Sequence, residues 1–320
     1  MSGPIQEFAL QAATGETIHA RNLWGKYVLL GSSGGEATPA LARALDGLVP
    51  RLAPLDAVAV VVASDPVPVL AELTAREGWK VLLLSDPERG LAQTCQAGEL
   101  VLLDRVGIVR WRGHDPAEAI AALADLRSAE GEVNPLLRAR RAYRALAPDP
   151  IPREALVRLV EAAHLAPSCF NNQPWRFVIA EGEALARVKA ALSGGNYWAK
   201  RAPAILALAS HRDLDCKLSD GRDYYLFGCG MATGLLMIQA TQMGLIAHPI
   251  AGYDPLAVKE ALGIPNEYVL ITLIVVGKPG AVSTLSDKHR AIELGPRERK
   301  PLPAVLAWNK FGDLNQTEGT

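Results

Sequence analysis

The chain has few cysteines, and they are not arranged as a framework. Four occur among 320 residues, at Cys95, Cys169, Cys216 and Cys229, and no two share a C-x-x-C spacing. Disulfide-rich domains and thiolate zinc sites are marked by paired, regularly spaced cysteines. The sequence therefore predicts separate reduced thiols and no metal site.

An excess of either charge is also missing. The chain carries 33 basic and 34 acidic side chains, for a formal net charge of -1 at pH 7. Proteins that bind nucleic acid neutralise its phosphates with many cations, so no nucleic-acid partner is expected. The start, MSGPIQEF, has no basic segment followed by an apolar run, which argues against a secretory signal and predicts a cytoplasmic location.

Long hydrophobic runs are rare, and one segment needs a membrane test. Residues 224–253 contain no Asp, Glu, Lys or Arg. Glutamines and glycines interrupt this run, and no aromatic belt or basic flank frames it. The pattern favours a helix buried in a core or a subunit interface, with no membrane partner.

The composition that remains, 49% apolar and 21% charged, is typical of a folded soluble protein. Its length suits about two domains at roughly 150 residues each. From Tyr27 onward, apolar strand-like runs alternate with helix-like runs, which predicts an α/β fold. The polar stretch at 128–134 is the best linker, giving expected domains at 1–130 and 134–320.

The second half contains clear signals for where helices begin and end. The run PREALVRLVEAAHL has helical spacing, with Pro152 at its start and Pro167 as its stop. The run PLAVKEAL is flanked by Asp254 as an N-terminal cap and by Gly263 as a C-terminal stop. With the strand-like runs RFVIA, AILALA and YVLITLIVV, these segments predict an α+β or α/β domain.

The first half resembles peroxiredoxins of the thioredoxin fold. The stretches EFALQAATGETIHARNLWGKYVLL, TPALARAL, LSDPERGLAQTC and VLLDRVGIVRW follow one another in the family's order over about residues 4–126. In that family a T-P-x-C segment opens a helix and makes a reactive thiolate. Here Thr38 and Pro39 are followed by Ala40 and Leu41. We therefore expect a thioredoxin-like domain without peroxidase activity, and we expect Cys95 to be a buried, inert thiol.

The glycine-rich segment GSSGGEATP has two interpretations. Backbone amides at a helix N-terminus can cradle a phosphate, but the segment lacks the Gly-Lys-Ser/Thr ending of a P-loop. The alternative, which the sequence favours, is a strand-to-helix turn left from a lost thiol site.

Two polar clusters in the second half carry candidate chemistry. The stretch APSCFNNQPW offers a hydroxyl and three amides, which suit the edge of a planar heterocycle or simply satisfy a turn. The stretch LRARRAYRAL holds four arginines, and on a helix Arg140 and Arg144 would project together toward a dianion or a ring edge. A solvated basic face is the alternative. A third basic group lies at 297–300.

Together these segments resemble the FMN-dependent nitroreductase family. RRAYRALAPDPIPREALVRLVEAAHLAPSCFNNQPWRFVIA is similar to its opening signature, PIAGYD to its second flavin loop, and PRERKPLPAVLAWNKFG to its C-terminal segment. The resemblance spans about residues 134–312. It implies an α+β nitroreductase-type domain that binds FMN through these residues: Arg140, Arg141, Arg144, Pro167, Ser168, Asn171, Asn196, Ala251, Gly252, Arg297 and Arg299.

The resemblance also implies a role for each position. The FMN phosphate and ribityl chain would be bound by Arg140, Arg141, Arg297 and Arg299. The pyrimidine edge of the flavin would lie near Arg144. The turn at 167–171 would line the ring, and the amide of Gly252 would approach flavin N5. Asn196 is a weaker match. Two departures are Ala142, where a serine is common, and Ala251, where some members have Glu.

The implied function is an FMN-dependent oxidoreductase that takes a hydride from NADH or NADPH and passes it to a nitroarene or quinone by a ping-pong mechanism. No catalytic side chain is needed, because flavin N5 carries the chemistry. Family members are homodimers, so a dimer is expected. The alternatives are a flavin storage or sensing protein with the first domain as a docking module, and another flavin reaction such as dehalogenation.

Overall fold

The computed structural model describes residues 8–91 and 98–311. By its contacts the chain divides into two compact units, with the boundary between Val133 and Asn134. Cys95 lies outside the described residues. Within them, no helix is both long and apolar enough to cross a bilayer.

The first unit is built on a seven-stranded sheet within the described residues. Its strands are β1 (Ala9–Ala12), β2 (Thr17–His19), β3 (Tyr27–Ser33), β4 (Ala57–Ala63), β5 (Leu82–Ser85), β6 (Leu100–Leu103) and β7 (Val109–Gly113). They are ordered β2-β1-β5-β4-β3-β6-β7. Strand β4 pairs in parallel with β3 and β5, and the other pairs are antiparallel. This mixed α/β unit confirms the strand-like runs predicted from Tyr27 onward.

Helices cover this sheet, and all but the short helix Val49–Leu52 lie where the sequence predicted helix-like runs. They are α1 (Thr38–Asp46), α2 (Val49–Leu52), α3 (Val67–Glu77) and α4 (Pro116–Ala129). Alternate residues of β3 face two different cores, with Leu29 on one side and Leu30 on the other. Both faces of the central strands are therefore buried, as their nearly continuous apolar sequences require.

The second unit has an antiparallel sheet at its centre. Its strands are β8 (Leu146–Ala147), β9 (Arg176–Ala180), β10 (Ala204–Ser210), β11 (Ile246–Ile250) and β12 (Val269–Pro279). The order is β11-β12-β10-β9, and β8 also pairs with β12. Its helices are α5 (Pro135–Ala139), α6 (Arg153–His164), α7 (Gly182–Ala190), α8 (Tyr225–Gln242), α9 (Pro255–Leu262) and α10 (Asp287–Leu294).

The two faces of this sheet bury different helices. On one face, Ile205 and Ala207 of β10 share a core with Trp198. On the other face, Leu206 shares a core with Leu236 of α8. Helix α8 is the charge-free helix. It buries one side and leaves Leu226, Phe227 and Leu235 more than a third exposed. The interior helix predicted from its sequence is therefore covered on only one side within this chain.

Candidate functional site

The arginine-rich segment does not form the helix that would place Arg140 and Arg144 one turn apart. Helix α5 ends at Ala139, and Arg140 has an extended backbone with φ -59° and ψ 122°. Residues 140–145 continue without helical structure to β8. The helical interpretation of this segment was therefore wrong.

A buried carboxylate explains why the segment is extended. Glu293 of α10 is only 7% exposed, and it accepts hydrogen bonds from the amides of Arg144 at 2.9 Å and Ala145 at 2.8 Å. In a helix these amides would bond to carbonyls one turn earlier. The partner lies 149 positions away from Arg144, so no local pattern in the sequence could have revealed it.

Two arginines connect this segment to the residues after α10. Arg297 donates to the carbonyl of Arg138 at 2.8 Å and to that of Arg140, at the end of α5. Arg141 donates to the carbonyls of Gly295 at 2.8 Å and Ile292 at 3.2 Å. Carbonyls at a helix C-terminus lack partners within the helix and favour cations. Arg297 and Arg141 thus fix the geometry of the region as well as its charge.

A cavity of about 540 Å³ opens between these two segments. It is lined by Arg140, Arg141, Ala142, Ala291, Ile292, Gly295, Pro296, Arg297, Glu298 and Arg299. Burial lowers the pKa of Arg140, and the charges of Arg297 and Arg299 lower it further. In the part of the chain that the structure describes, the Arg140 side chain makes no hydrogen bond or ion pair. Glu298, the carboxylate that lines the cavity, forms no ion pair with these guanidiniums in the described structure. Guanidiniums that are not paired with a carboxylate are suited to a phosphate.

Arg144 extends this positive region toward a buried aromatic pair. Its guanidinium carbon lies 5.9 Å from the ring centroid of Trp198, which in turn stacks at 4.6 Å on His248. Burial lowers the pKa of His248 to about 4, and Arg144 and Arg140 act in the same direction. The ring is therefore neutral at pH 7, and its Nδ1 donates to the carbonyl of Tyr143 at 3.0 Å.

The loop after β11 is held by Asn196, the residue that is the weaker match to the family. Asn196 Nδ2 donates to the carbonyl of Gly252 at 2.8 Å. A Cβ at position 252 would lie 2.7 Å from that nitrogen, so a larger residue would displace Asn196. Asp254 fixes the following turn by capping α9, and Gly263 ends that helix, as predicted. Among the described residues the Gly252 amide has no acceptor, so it is available to a ligand.

The turn at 167–175 satisfies part of its own polarity. Ser168 Oγ accepts from the amide of Gln173 at 2.9 Å, and Gln173 Nε2 donates to the carbonyl of Asn171 at 2.8 Å. Phe170, Asn171 and Gln173 have positive φ angles of 44°, 58° and 51°. Non-glycine residues in this region cost free energy and concentrate at functional sites. The exposed side chain of Asn171 is the one left over for a ligand.

This turn lies on a cavity of its own. The cavity has a volume of about 250 Å³ and is lined by Pro167, Ser168, Cys169, Asp215, Tyr224, Phe227, Gly228 and Met231. None of these residues lines the arginine cavity. Within one copy of the chain, the structure brings Arg140, Arg141, Arg297 and Arg299 together but leaves Pro167 and Ser168 at a different place.

The prediction of separate thiols is wrong for two of the cysteines. Cys169 in the turn and Cys216 in the loop before α8 form a disulfide across 47 residues. Cys229 is free and buried, and burial raises the pKa of its thiol to about 11. The disulfide was missed because only the fold brings the two loops together.

The same place contains a group of possible metal ligands. The ligand atoms of Cys169, Asp215 and Cys216 lie within 4.8 Å of one another. The loop from His211 to Cys216 gives no sequence signal for such a site, because its residue spacing fits no metal motif. A thiolate is the form of cysteine that binds metals. Because the two sulfurs are bonded to each other, neither is a thiolate in this structure.

Comparison with known proteins bears on this second unit. The model of the nitroreductase family matches residues 137–196 and 191–278. A putative NADH dehydrogenase/NAD(P)H nitroreductase of Archaeoglobus fulgidus is 30% identical over 146 residues, which are 44% of this chain and 81% of that protein. The chain belongs to the nitroreductase family.

Two further matches extend over more of this nitroreductase-family unit. An NADH dehydrogenase of Thermus thermophilus is 27% identical over 207 residues, covering 53% of this chain and 92% of that protein. The crystal structure of an oxidoreductase containing FMN is 32% identical, with a TM-score of 0.51, and covers 56% of this chain and 93% of that one. The arginine cavity, the Gly252 loop and the turn at 167–175 all lie in this unit.

Proposed function

We propose that the protein is an NAD(P)H-dependent flavin oxidoreductase that uses FMN. The observation that carries the proposal is the cavity at Arg140, Arg297 and Arg299, where three guanidiniums meet and none forms an ion pair with a carboxylate of the described residues. The FMN phosphate is a dianion that would neutralise them. Relatives named FMN reductase [NAD(P)H], from Bacillus subtilis, and oxygen-insensitive NADPH nitroreductase, from Helicobacter acinonychis, support the same chemistry.

The residues of this chain would bind and orient the cofactor. Arg140, Arg141, Arg297 and Arg299 would hold the phosphate and ribityl chain, and Arg144 would face the pyrimidine edge. A fixed cation there stabilises the negative charge of a reduced ring, and the free amide of Gly252 would donate to its N5. Bound FMN supplies hydride transfer at N5, so no acid or base from the chain is required.

We infer a ping-pong sequence in which the nicotinamide and the acceptor occupy the same place in turn. The acceptor belongs to the electron-poor nitroarenes or quinones. Ala251 is exposed beside Gly252 and presents no carboxylate to either molecule. This leaves the entrance to the Gly252 loop uncharged at that position, which suits a neutral aromatic acceptor.

We also propose a homodimer in which each flavin is bound by both copies. The turn at 167–171 and the arginine cavity are apart within one chain, so a second copy would complete the site. Helix α8 offers an exposed apolar face for this contact, with Phe227 57% and Leu226 44% exposed. The exposed glycines Gly230 and Gly234 on the same helix allow close approach of a partner helix.

The dimer can be tested by placing a charge on this face. Phe227→Glu should shift the protein from dimer to monomer in analytical ultracentrifugation and lower its FMN content, because the ring would lose half of its contacts. Leu256→Glu, at a residue of α9 that is 68% exposed, is the matched control and should leave the dimer intact. A dimeric Phe227→Glu protein would contradict the role of α8.

The visible absorption spectrum tests the redox function. The purified protein should show a flavin band that bleaches on anaerobic addition of NADH or NADPH and returns when a quinone is added. A bound flavin that reacts with neither nicotinamide would favour the alternative function, a flavin storage or sensing protein. Protein that neither contains FMN nor binds it on reconstitution would contradict both.

For the first unit we propose a thioredoxin-like domain without thiol chemistry. The support is the central β3, β4 and β5 with α1 and α3 between them in sequence, and the packing of Leu41 against Gly31. A Cβ placed on Gly31 would lie 3.1 Å from a methyl group of Leu41, so an apolar contact occupies the place where a peroxiredoxin has its cysteine. Thiol-dependent consumption of hydrogen peroxide by the protein, lost in Cys95→Ser, would contradict the proposal.

A further inference from the structure

The disulfide lies at the turn that would line the flavin ring. Cys169 follows Ser168 directly, and both residues line the 250 Å³ cavity with Pro167. Both cysteines are partly exposed, unlike the buried Cys229. The bond is therefore placed where a flavin and small molecules could reach it, and it is not enclosed in a core as a structural crosslink would be.

One oxygen of the carboxylate beside the disulfide lacks a hydrogen-bond partner in the oxidised state. Asp215 is 8% exposed, and its Oδ1 accepts from Asn172 Nδ2 at 3.3 Å. Its Oδ2 is buried without a hydrogen bond in the described structure. A carboxylate oxygen of Asp215 and the two sulfurs lie within 4.8 Å of one another. An unsatisfied buried acceptor destabilises the state that contains it.

Reduction of the disulfide would supply the missing donors. Breaking the S–S bond creates two S–H groups beside the Asp215 carboxylate, one of whose oxygens lies within 4.8 Å of both sulfurs, whereas the bonded sulfurs have no proton to donate. The surroundings of the pair therefore favour the dithiol more than an apolar site would.

We propose that Cys169 and Cys216 form a second two-electron centre that is reduced through the bound flavin. This inference rests on the proposed function. Two electrons from NAD(P)H pass by way of FMN to the disulfide, the S–S bond breaks, and two S–H bonds form. The net change is NAD(P)H plus one proton and a disulfide giving NAD(P)⁺ and a dithiol, with FMN returned to its oxidised form. The second proton comes from solvent, and the Asp215 carboxylate accepts a hydrogen bond from an S–H group once it has formed.

The first test is an anaerobic titration of the FMN-loaded protein with NADH or NADPH. Two equivalents per chain should be needed for complete bleaching, one for FMN and one for the disulfide. Alkylation under denaturing conditions and peptide mass mapping should find Cys169 and Cys216 newly modified. The double variant Cys169→Ser/Cys216→Ser should need one equivalent, and the matched control Cys229→Ser should still need two.

Two results would overturn the proposal. One is bleaching with a single equivalent while the Cys169–Cys216 peptide pair stays bonded. The other is finding both residues as free thiols in the protein purified in air. If neither nicotinamide bleaches the flavin, the proposed function has failed on its own. Photoreduction of the bound FMN with EDTA then tests the disulfide step, with FMN-free protein treated identically as the control that should keep its disulfide.

The role of Asp215 has a separate readout. Asp215→Asn should slow the appearance of alkylatable thiols by about tenfold, since a charged acceptor stabilises the S–H groups more than a neutral amide does, and should leave the rate of the first bleaching phase unchanged. Asp213→Asn is the control from the same loop, because Asp213 is exposed and pairs with Lys217 at 2.7 Å. Equal rates in the two variants would remove Asp215 from the proposed step.

Discussion

The two units differ in whether the groups that could bind an anion are already satisfied by a carboxylate of the protein. In the first unit the glycine-rich loop before α1 is already filled by the protein itself. Asp65 accepts from the amide of Gly35 at 3.1 Å and from Thr38 Oγ1 at 2.6 Å. In the second unit Arg140, Arg297 and Arg299 converge with no such carboxylate. Donors satisfied internally stabilise a fold, whereas like charges left together favour binding of an external anion.

This comparison decides between the two interpretations of GSSGGEATP. A phosphate at the loop would have to displace the Asp65 carboxylate from Gly35 and Thr38. The side chain of Thr38 is fully buried. The loop therefore acts as a strand-to-helix turn, and we propose that a nucleotide phosphate binds in the second unit.

The largest expected effect comes from removing the uncompensated cations. Arg140→Ala/Arg299→Ala should weaken FMN binding by on the order of 100-fold or more, because each charge-assisted hydrogen bond contributes about 1.5–3 kcal/mol. Fluorescence titration of the FMN-free protein measures the affinity. Arg158→Ala, at an exposed helix position paired with Glu161, is the control. If the double variant and the wild type bound FMN equally well, the contrast between the units would be wrong, because the arginines would then stabilise only the fold.

Lowering the pH should destabilise the second unit before it destabilises the first. The pKa of His248 is lowered to about 4 by burial, so the folded state binds fewer protons than the unfolded state, where the value is near 6.5. Stability is complete above pH 6.5 and is lost as the pH falls from 6.5 toward 4. The loss in the second unit approaches roughly 3 kcal/mol.

The first unit should not respond in the upper part of this range. Arg105 holds the pKa of Asp56 and that of Glu130 below their usual values near 4, so these groups lose their contribution only at lower pH. Hydrogen exchange with mass spectrometry at pH 7, 6 and 5 follows each unit separately. His248→Gln should abolish the loss, and the exposed His114→Gln should not. Parallel losses in both units would contradict this assignment.

Substitution of Glu293 tests how the cation cavity is built. Glu293→Gln should lower the free energy of unfolding of the second unit by about 2–3 kcal/mol, because the carboxylate accepts charge-assisted bonds from two backbone amides. FMN affinity should fall as well, since residues 140–145 would lose their extended geometry. Glu260→Gln, at an exposed residue of α9 outside the cavity, is the control. Loss of affinity without loss of stability would mean that Glu293 acts on the flavin and not through the backbone.

The elements of both units follow from local sequence, and the site geometry does not. The strand runs, the Asp254 cap and the Gly263 stop depend on side chains within a few residues of one another. The extended segment after α5 depends on Glu293, and the disulfide depends on a loop 47 residues away. Helical spacing in LRARRAYRAL was overridden by a tertiary carboxylate, which is a contact that propensity cannot contain. The resemblance pointed to these arginines, but only the structure shows how their backbone is held.

The smallest effect should come from the filled loop of the first unit. Asp65→Asn keeps the shape of the side chain but removes its charge, so the bonds to Gly35 and Thr38 weaken. We expect the first unit to lose about 1–2 kcal/mol of stability, measured by hydrogen exchange in the full chain, while FMN affinity stays unchanged. Asp125→Asn, at an exposed residue of α4, is the control. Because the wild-type loop is occupied by its own carboxylate, inorganic phosphate should not protect the amides of this unit from exchange. Protection by phosphate would show that the loop is open to anions, and the contrast between the two units would then fail.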